Sequence, residues 1–326
     1  MRLGPPDRVS TEDGAQGDDM SPATSTPGSA YLTGCGFVLF AGLVLSLGVL
    51  CIRGAGESEA FQYLFWRAVG FTGAVTLIAA CRHVANPVEQ VMRMGWYGWL
   101  AAAAMVFSQV AFIAAIKVAT VAEVFFLFSL APLIAAVLAF PVLGERIGAL
   151  GGLAVATAIG GVALMTGGGL HDGNWEGRAL ALGGALGFAL YSLSLRRVPA
   201  PDLDAVLVAS GALTLLAAGS VVLLKGSPFL VPLGNTGLAM LHGGVILAVG
   251  LLLMGWASRS VPGVTLIMLA QSESIAAPVW SYLFLNETPT RGVIVGGMLI
   301  LSAVVLQAKD GARHNSAAVV APSPTK

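Results

Sequence analysis

The sequence predicts an all-α membrane protein with ten transmembrane helices, and two observations carry this prediction. The chain has 326 residues, of which 56% are hydrophobic and only 10% are charged, with a mean hydropathy of +0.83. A soluble domain is usually about 25% charged. In addition, the apolar residues form solid runs of about the length needed to cross a bilayer, roughly 20 helical residues. A transmembrane barrel would instead show alternating segments of about ten residues.

Ten apolar runs are bounded by charged residues, proline or glycine. Those of the first half cover 31–52, 61–80, 95–116, 120–143 and 147–165, and those of the second half cover 178–195, 203–224, 237–257, 264–285 and 292–307. The first run is long and starts near Tyr31, so it is predicted to remain as a span and not to be cleaved as a signal peptide.

The chain ends and the charges between runs predict the domain organisation and the topology. Residues 1–29 are acidic and rich in Ser, Thr, Pro and Gly, which predicts a disordered cytoplasmic tail, and 309–326 form a second such tail. Five-helix units are predicted over 31–170 and 177–308. With both termini in the cytoplasm, 11 of the 17 Lys and Arg residues fall on the inner side and 6 on the outer side, which agrees with the positive-inside rule.

Charge balance and cysteine placement exclude several classes of function. The 17 basic and 17 acidic residues cancel, so the chain has no basic stripe for nucleic acid. Cys35, Cys51 and Cys81 lie alone in or beside apolar runs, without the spacing of a metal site. We therefore expect no nucleic-acid partner, no bound metal and no cofactor.

The two halves resemble each other where the fourth run meets the fifth and where the ninth meets the tenth. Aligning Glu145 with Glu287 gives an offset of 142 residues, close to half of the folded region. Because each unit has an odd number of helices, the second unit enters the membrane from the opposite side. Inverted repeats of this kind are typical of secondary transporters, which bind substrate between the halves near the bilayer midplane.

The motifs within this repeat resemble the EamA-like branch of the drug/metabolite transporter superfamily. They are Trp66-Arg67 in the second run, the stretch from Pro132 to Arg146, and the stretch from Glu273 to Glu287. The chain departs from the family pattern at Asn286, where a small Gly before the Glu is usual, and at Ser274, where the first half has Pro132. The resemblance covers about residues 31 to 308 and implies an inner-membrane carrier for metabolites or drugs, frequently an exporter.

Glu273 is the main predicted site residue, because an ionisable group inside a span is costly and needs a partner or a wet cavity. It lies nine residues into the ninth run, about 13 Å along a helix, and therefore near the midplane. We expect it to bind substrate or to take up and release a proton during transport. The alternative is that Glu273 only ties helices together through hydrogen bonds.

Arg67 and Glu123 are predicted to lie in the outer half, where they could pair and form an outer gate or line the cavity mouth. In the alternative reading Arg67 extends to the outer headgroups and Glu123 meets Lys117. Weaker substrate-site candidates are scattered polar and aromatic side chains: Gln109, Tyr191, His242, Gln271 and Trp280. A lone histidine such as His242 is more often a hydrogen-bonded interior residue than a ligand.

Other conspicuous residues have structural interpretations. Glu145 and Glu287 are expected in the first turn of the following helix, where a carboxylate meets the positive end of the dipole. The pairs Gly148/Gly152, Gly183/Gly187 and Gly292/Gly296 have the GxxxG spacing that lets helices pack closely, within one chain or in a homodimer. Pro132, Pro141 and Pro278 are expected to break or kink the fourth and ninth helices.

A carrier is the function that the sequence favours. The chain has no HExxH motif, no phosphate-binding loop for ATP and no Gly-flanked serine with a histidine partner, so an enzyme is not predicted. A channel is disfavoured because no filter-like loop repeats. The predicted partners are a small-molecule substrate and the lipid bilayer. The alternative is a membrane-embedded scaffold or enzyme without transport activity.

Overall fold

The computed structural model describes residues 27–56, 58–81, 87–143, 148–166, 175–199 and 203–320, and this part of the chain is all-helical. Most of the predicted N-terminal tail, and Glu145 with it, lies outside the described residues. The helices are α1 Pro27–Ser46, α2 Gly48–Gly54, α3 Ala60–Cys81, α4 Pro87–Arg93, α5 Gly95–Val118, α6 Val121–Phe128, α7 Ala131–Leu143, α8 Ala149–Thr166, α9 Trp175–Leu195, α10 Leu203–Leu224, α11 Leu233–Leu241, the π-helix π1 His242–Leu247, α12 Ala248–Ala257, α13 Gly263–Ala270, α14 Ser272–Leu285 and α15 Arg291–Val320.

Eight stretches of the described chain are long and apolar enough to cross a membrane. They coincide with eight of the ten predicted runs, since α1 continues into α2, α6 into α7, and α11 through π1 into α12. The two remaining predicted runs are α3 and the pair α13–α14. Both are helical. Unlike most of the other runs, they carry ionisable residues in their interior: Arg67 in α3 and Glu273 in α14.

The end of the chain differs from the prediction. Residues from 309 onward were expected to form a disordered tail, but α15 continues as one helix to Val320. Residues 310–320 contain no proline and several alanines, so the helix continues through them. Asp310, within this extension, is buried and accepts a hydrogen bond from the amide of Gly148 at 2.9 Å.

The packing joins the first half of the chain to the second. α5 packs along α9, α8 packs along α15, and α3 packs along α10. Further contacts join α1 to α12 and α14, α3 to π1, α5 to α10, and α6 to α9 and α14. The largest buried cluster lies between these helices and includes Tyr63, Ile116, Leu127 and Ile300.

Close contacts at glycines explain two of these pairings. A side chain at Gly187 would meet the backbone of Ser108, which brings α9 against α5. A side chain at Gly296 would meet the carbonyl oxygen of Gly161, which brings α15 against α8. The pairs Gly183/Gly187 and Gly292/Gly296 therefore pack within one chain, whereas a Cβ at Gly152 would meet nothing within 4 Å.

Two spans are interrupted near their centres. α6 and α7 are separated by a turn at Ser129–Leu130, and α13 and α14 are separated at Gln271. Proline accounts for only part of this, because Pro132 lies in the first turn of α7 while Pro141 and Pro278 lie inside continuous helices. The prolines were expected to cause the breaks, but Gln271 has no proline beside it.

Candidate functional site

Four buried polar side chains meet where α3, α5 and π1 come together. The Nη1 atom of Arg67 donates to Oε1 of Gln109 at 2.7 Å, and the Tyr63 hydroxyl lies 2.7 Å from Nδ1 of His242. All four side chains are at most 8% exposed. Tyr63 and Arg67 are four residues apart on α3 and so share one face. We refer to Tyr63, Arg67, Gln109 and His242 as the Arg67 cluster.

Close backbone contact holds this cluster together. A Cβ on Gly243 would meet the carbonyl oxygen of Arg67, and a Cβ on Gly70 would meet that of Met240. The π-helix therefore lies directly against α3 where Arg67 projects. Short π-helical segments within α-helices are frequent at functional sites. Counted along the helices at about 1.5 Å per residue, Arg67 lies about 10 Å from the end of its span. Gln109 and His242 lie about 13 Å from the corresponding ends of their own spans, at the same end of the bundle.

A second polar group lies at the break between α13 and α14. Gln271 Oε1 and Ser272 Oγ are buried and have no hydrogen-bond partner. Glu273, in the first turn of α14, is partly exposed and forms no ion pair with the described residues. A Cβ on Gly42 of α1 would meet Ser272 and the backbone nitrogen of Glu273. The break thus places the Ser272 side chain and the backbone of Glu273 against α1 near the middle of the span.

Arg178, and not Arg67, pairs with Glu123. The Arg178 Nη2 and Nε atoms lie 2.8 Å and 3.0 Å from Oε1 of Glu123, and the two side chains are 12% and 4% exposed. Glu123 also closes a capping box with Thr120 at the start of α6. Arg67, on α3, donates to Gln109 instead. Lys117, the alternative partner of Glu123, donates to the carbonyl oxygens of Ile52 and Gly56.

Glu287 joins the two halves of the chain at the same end of the bundle. Its Oε1 atom lies 2.8 Å from Arg53 Nη2, and its Oε2 atom accepts from the amide of Val121 at 3.0 Å. We refer to the end that holds Arg53, Glu123, Arg178 and Glu287 as the Glu287 end. The expected position of Glu287 in the first turn of the next helix is wrong, because α15 begins only at Arg291 and the carboxylate meets the first turn of α6.

The remaining predicted site residues are dispersed. Trp280 donates its indole N–H to Ser46 Oγ at 2.9 Å, next to the junction of α1 and α2. Tyr191 ends a row of aromatic rings with centroids 4.8 to 5.7 Å apart, formed by Phe125, Phe112, Phe128, Phe188 and Tyr191. Phe112, the second ring of this row, follows Gln109 by three residues on α5 and so lies on the same side of that helix.

Sequence reasoning missed Tyr63, Arg53 and Arg178 as partners of the predicted residues. Tyr63 could have been found, since it lies one helical turn before Arg67. The pairing of Arg178 with Glu123 joins residues 55 apart and has no local signal. Within the described ranges, no group of three or more His, Cys, Asp or Glu residues is placed to hold a metal ion.

An apolar groove of about 480 Å³ lies between α7, α8 and α9, away from these polar groups. Its lining includes Leu133, Val137, Ile159 and Leu182, and it contains no predicted site residue. A polar metabolite would lose its hydration there without gaining hydrogen bonds. The groove therefore suits lipid or apolar side chains better than a polar substrate.

Comparisons with known proteins agree with this architecture. Residues 32–167 match the model of the EamA-like transporter family. No curated protein matches the sequence. A solved structure described as "Crystal structure of protein" is similar over 84% of this chain and 98% of its own, with 16% identity and a TM-score of 0.58, which shows a shared fold. The resemblance to the EamA-like branch of the drug/metabolite transporter superfamily is therefore confirmed over residues 32–167 of this multi-span membrane protein.

Proposed function

We propose that this protein is a secondary transporter that moves a small metabolite or drug across the inner membrane by alternating access, without ATP. Its ten spans form two inverted five-helix units, 31–170 and 177–308, and the substrate binds between them. The proposed site comprises the Arg67 cluster and Glu273, with Gln271, Trp280 and Tyr191 along the path and Glu123 at its Glu287 end. The resemblance favours export, with both termini in the cytoplasm.

The observation that carries this proposal is the pair of interrupted spans. Ser129 begins the break in the first half and Gln271 forms the break in the second half, and these positions differ by 142, the offset that aligns Glu145 with Glu287. Interrupted helices at corresponding positions of two halves are the strongest sequence-readable pointer to a transporter's binding site. Glu273 lies immediately after the second break.

Helix pairing supports two equivalent units. Each span can be compared with the span five positions later, counting the first span again after the tenth. The contact of α5 with α9 then corresponds to the contact of α12 with α1. In the same way, the contact of α3 with π1 corresponds to the contact of α10 with α5. The direction of the spans supports inversion. Glu287, just beyond the C-terminal end of α14, binds the N-terminal residue Val121 of α6, so the two corresponding spans run in opposite directions.

The distribution of charges supports alternating access. At the Glu287 end, the pair Arg53–Glu287 and the pair Arg178–Glu123 each join one proposed unit to the other. Alternating access requires contacts between units that close one end and separate when the other end closes. We propose that these pairs close the outer end in this conformation.

The proposed topology is tested with reporter fusions at Gly173, after the fifth span, and at Lys309, after the tenth. Ten spans with cytoplasmic termini place Gly173 outside and Lys309 inside. Fusions that report the same side at both positions would contradict the two-unit arrangement. Light scattering of the detergent-solubilised protein tests whether it is a homodimer.

Transport is tested with purified protein in liposomes loaded with a defined mixture of amino acids, organic acids and nucleosides, without ATP or other nucleoside triphosphates. We expect at least one compound to leave faster than from protein-free liposomes, with a rate that responds to a proton or substrate gradient. If no compound leaves faster under any gradient, a membrane scaffold becomes the better interpretation. Transport that needs an added ATPase would make the chain a subunit of a pump.

A further inference from the structure

Arg67 carries a buried charge that its protein neighbours only partly satisfy. The residue is 6% exposed, and a guanidinium has five N–H donors. Nη1 donates to Gln109, whereas Nε is buried without a hydrogen-bond partner. Gln109 is neutral, so this contact satisfies one donor and leaves the charge uncompensated.

No carboxylate in the described part of the chain pairs with Arg67. The ion pairs there are Arg53–Glu287, Arg93–Glu89, Arg178–Glu123 and Lys225–Glu59. Tyr63 and His242, the other members of the Arg67 cluster, form a hydrogen bond with each other, and neither carries a permanent negative charge. An uncompensated charge within a membrane span costs a few kcal/mol or more, so such residues mark ligand and ion sites.

The surroundings of Arg67 come from both proposed units. Tyr63, Arg67 and Gln109 belong to the first unit, and His242 belongs to π1 of the second. A ligand bound to Arg67 would therefore contact both units, as alternating access requires. Phe112, three residues after Gln109 on α5, and the rings of Phe125 and Phe128 that contact it provide an apolar surface near Gln109.

We propose that Arg67 binds the carboxylate group of an organic monocarboxylate, which is the transported substrate. This inference rests on the proposed transport function and names its substrate class. The edge of the guanidinium formed by Nε and Nη2 presents two parallel N–H donors, the geometry that matches a carboxylate. Gln109 holds Nη1 and so orients that edge.

The charge balance favours a carboxylate over a phosphate. The Arg67 cluster contains one permanently charged group, so a monoanion neutralises it. A phosphate monoester carries about −1.5 to −2 charges at neutral pH and would leave a net negative charge buried. Burying that residual charge is unfavourable in an apolar interior.

The test measures thermal unfolding of the full-length protein in detergent micelles at constant ionic strength. The probes are sodium acetate and sodium benzoate, their neutral counterparts acetamide and benzamide, and inorganic phosphate. We expect at least one carboxylate to raise the unfolding midpoint saturably, by about 4 °C at saturation, while its amide and phosphate do not. If neither carboxylate stabilises the protein more than its amide, the inference is wrong.

Variants locate the site. Arg67→Gln should weaken carboxylate binding at least tenfold, and Arg67→Lys, which keeps the charge but loses the planar fork, should weaken it less. The matched control is Arg93→Gln, which removes an exposed arginine that pairs with Glu89 on α4 and should leave the affinity unchanged. Carboxylate binding that survives Arg67→Gln would assign the site elsewhere. The comparison of carboxylate with amide uses the unaltered protein, so it holds even if a variant does not fold.

The outcomes separate this inference from the proposed transport function. Liposomes that export only neutral compounds, together with no carboxylate binding, would overturn the inference and leave transport standing. Carboxylate binding by a protein that moves no compound would support the site and overturn transport.

In a third outcome, Glu273 supplies the counter-charge in another conformation. Arg67 and Glu273 substitutions would then impair transport of neutral compounds equally, and the carboxylate proposal would fail.

Discussion

Arg178 and Arg67 both lie in apolar helices, but they differ in what neutralises them. Arg178 contacts Glu123 through two nitrogen atoms at the Glu287 end, and both side chains are largely buried. Arg67 lies deeper and has a glutamine as its side-chain partner. The paired arginine fixes α9 against α6 within the protein itself. Arg67 instead carries a buried charge that no described residue neutralises.

This difference separates structural charges from ligand-binding charges in a way that burial alone does not. Breaking a buried ion pair leaves a charge stranded and is strongly destabilising. Removing a buried charge that has no partner relieves a desolvation cost and should not destabilise the fold. Stability and transport measurements should therefore respond in opposite ways at the two arginines.

The largest expected effect on stability is at the paired arginine. Arg178→Gln removes the positive charge whose two nitrogen atoms donate to Oε1 of Glu123, and we expect the free energy of unfolding to fall by about 3 kcal/mol. Arg67→Gln should cost less than about 1 kcal/mol, since one hydrogen bond to Gln109 is altered and the buried charge disappears. Thermal unfolding in detergent measures both.

The double variant Glu123→Gln/Arg178→Gln serves as the control, because it strands no charge. It should recover more than half of the stability lost by Arg178→Gln. If Arg67→Gln destabilises the protein as much as Arg178→Gln does, Arg67 has a structural role and the contrast between the two residues disappears.

The sequence predicted the helices well because hydrophobic length is a local property. The predicted run 203–224 coincides with α10, and nine other runs agree with helices within a few residues, apart from the extension of α15. Side-chain partners are a different matter. A pair between Arg67 and Glu123 was one of the two interpretations of the sequence, but α3 faces π1 and α5 at Arg67, and this depends on how helices rotate about their axes.

Glycine contacts decide that rotation and leave little trace in the sequence pattern. Gly243 brings π1 against the carbonyl oxygen of Arg67, yet it is one of 42 glycines in the chain. The importance of Glu273 was inferred from its depth along the span, which needs only counting. Its location beside the helix break at Gln271 could not be predicted, because no proline or glycine marks that break.

The second prediction concerns Glu273. We expect Glu273→Gln to fold and insert normally but to transport at least tenfold more slowly, or to lose the dependence of transport on pH. The amide keeps the size and much of the hydrogen bonding of the carboxylate but cannot take up and release a proton. Initial rates in liposomes at several pH values measure this. Full, pH-responsive transport by the variant would remove Glu273 from the mechanism.

The third prediction is a smaller change in stability at Glu287. This carboxylate pairs with Arg53 and accepts from the amide of Val121, but both ionic side chains are about a quarter exposed. Solvent screening reduces such a pair to about 1 kcal/mol or less, so Glu287→Gln should lower the free energy of unfolding by about 1 kcal/mol. A loss as large as that of Arg178→Gln would show that the two pairs do not differ as their exposure indicates.

The smallest predicted effect tests why the chain departs from the family pattern next to Glu287. Asn286 ends α14 with a φ of 55°, the left-handed conformation that glycine adopts most easily and asparagine tolerates better than most residues. The expected Gly and the observed Asn thus satisfy the same backbone requirement. We expect Asn286→Ala to lower the free energy of unfolding by about 0.5 kcal/mol and Asn286→Gly to change it by less. Because neither variant alters a residue of the Arg67 cluster or of the Arg53–Glu287 pair, both should transport normally. Equal stability of the alanine and glycine variants would mean that the helix end relaxes to another conformation, and that the position of Glu287 does not depend on this turn.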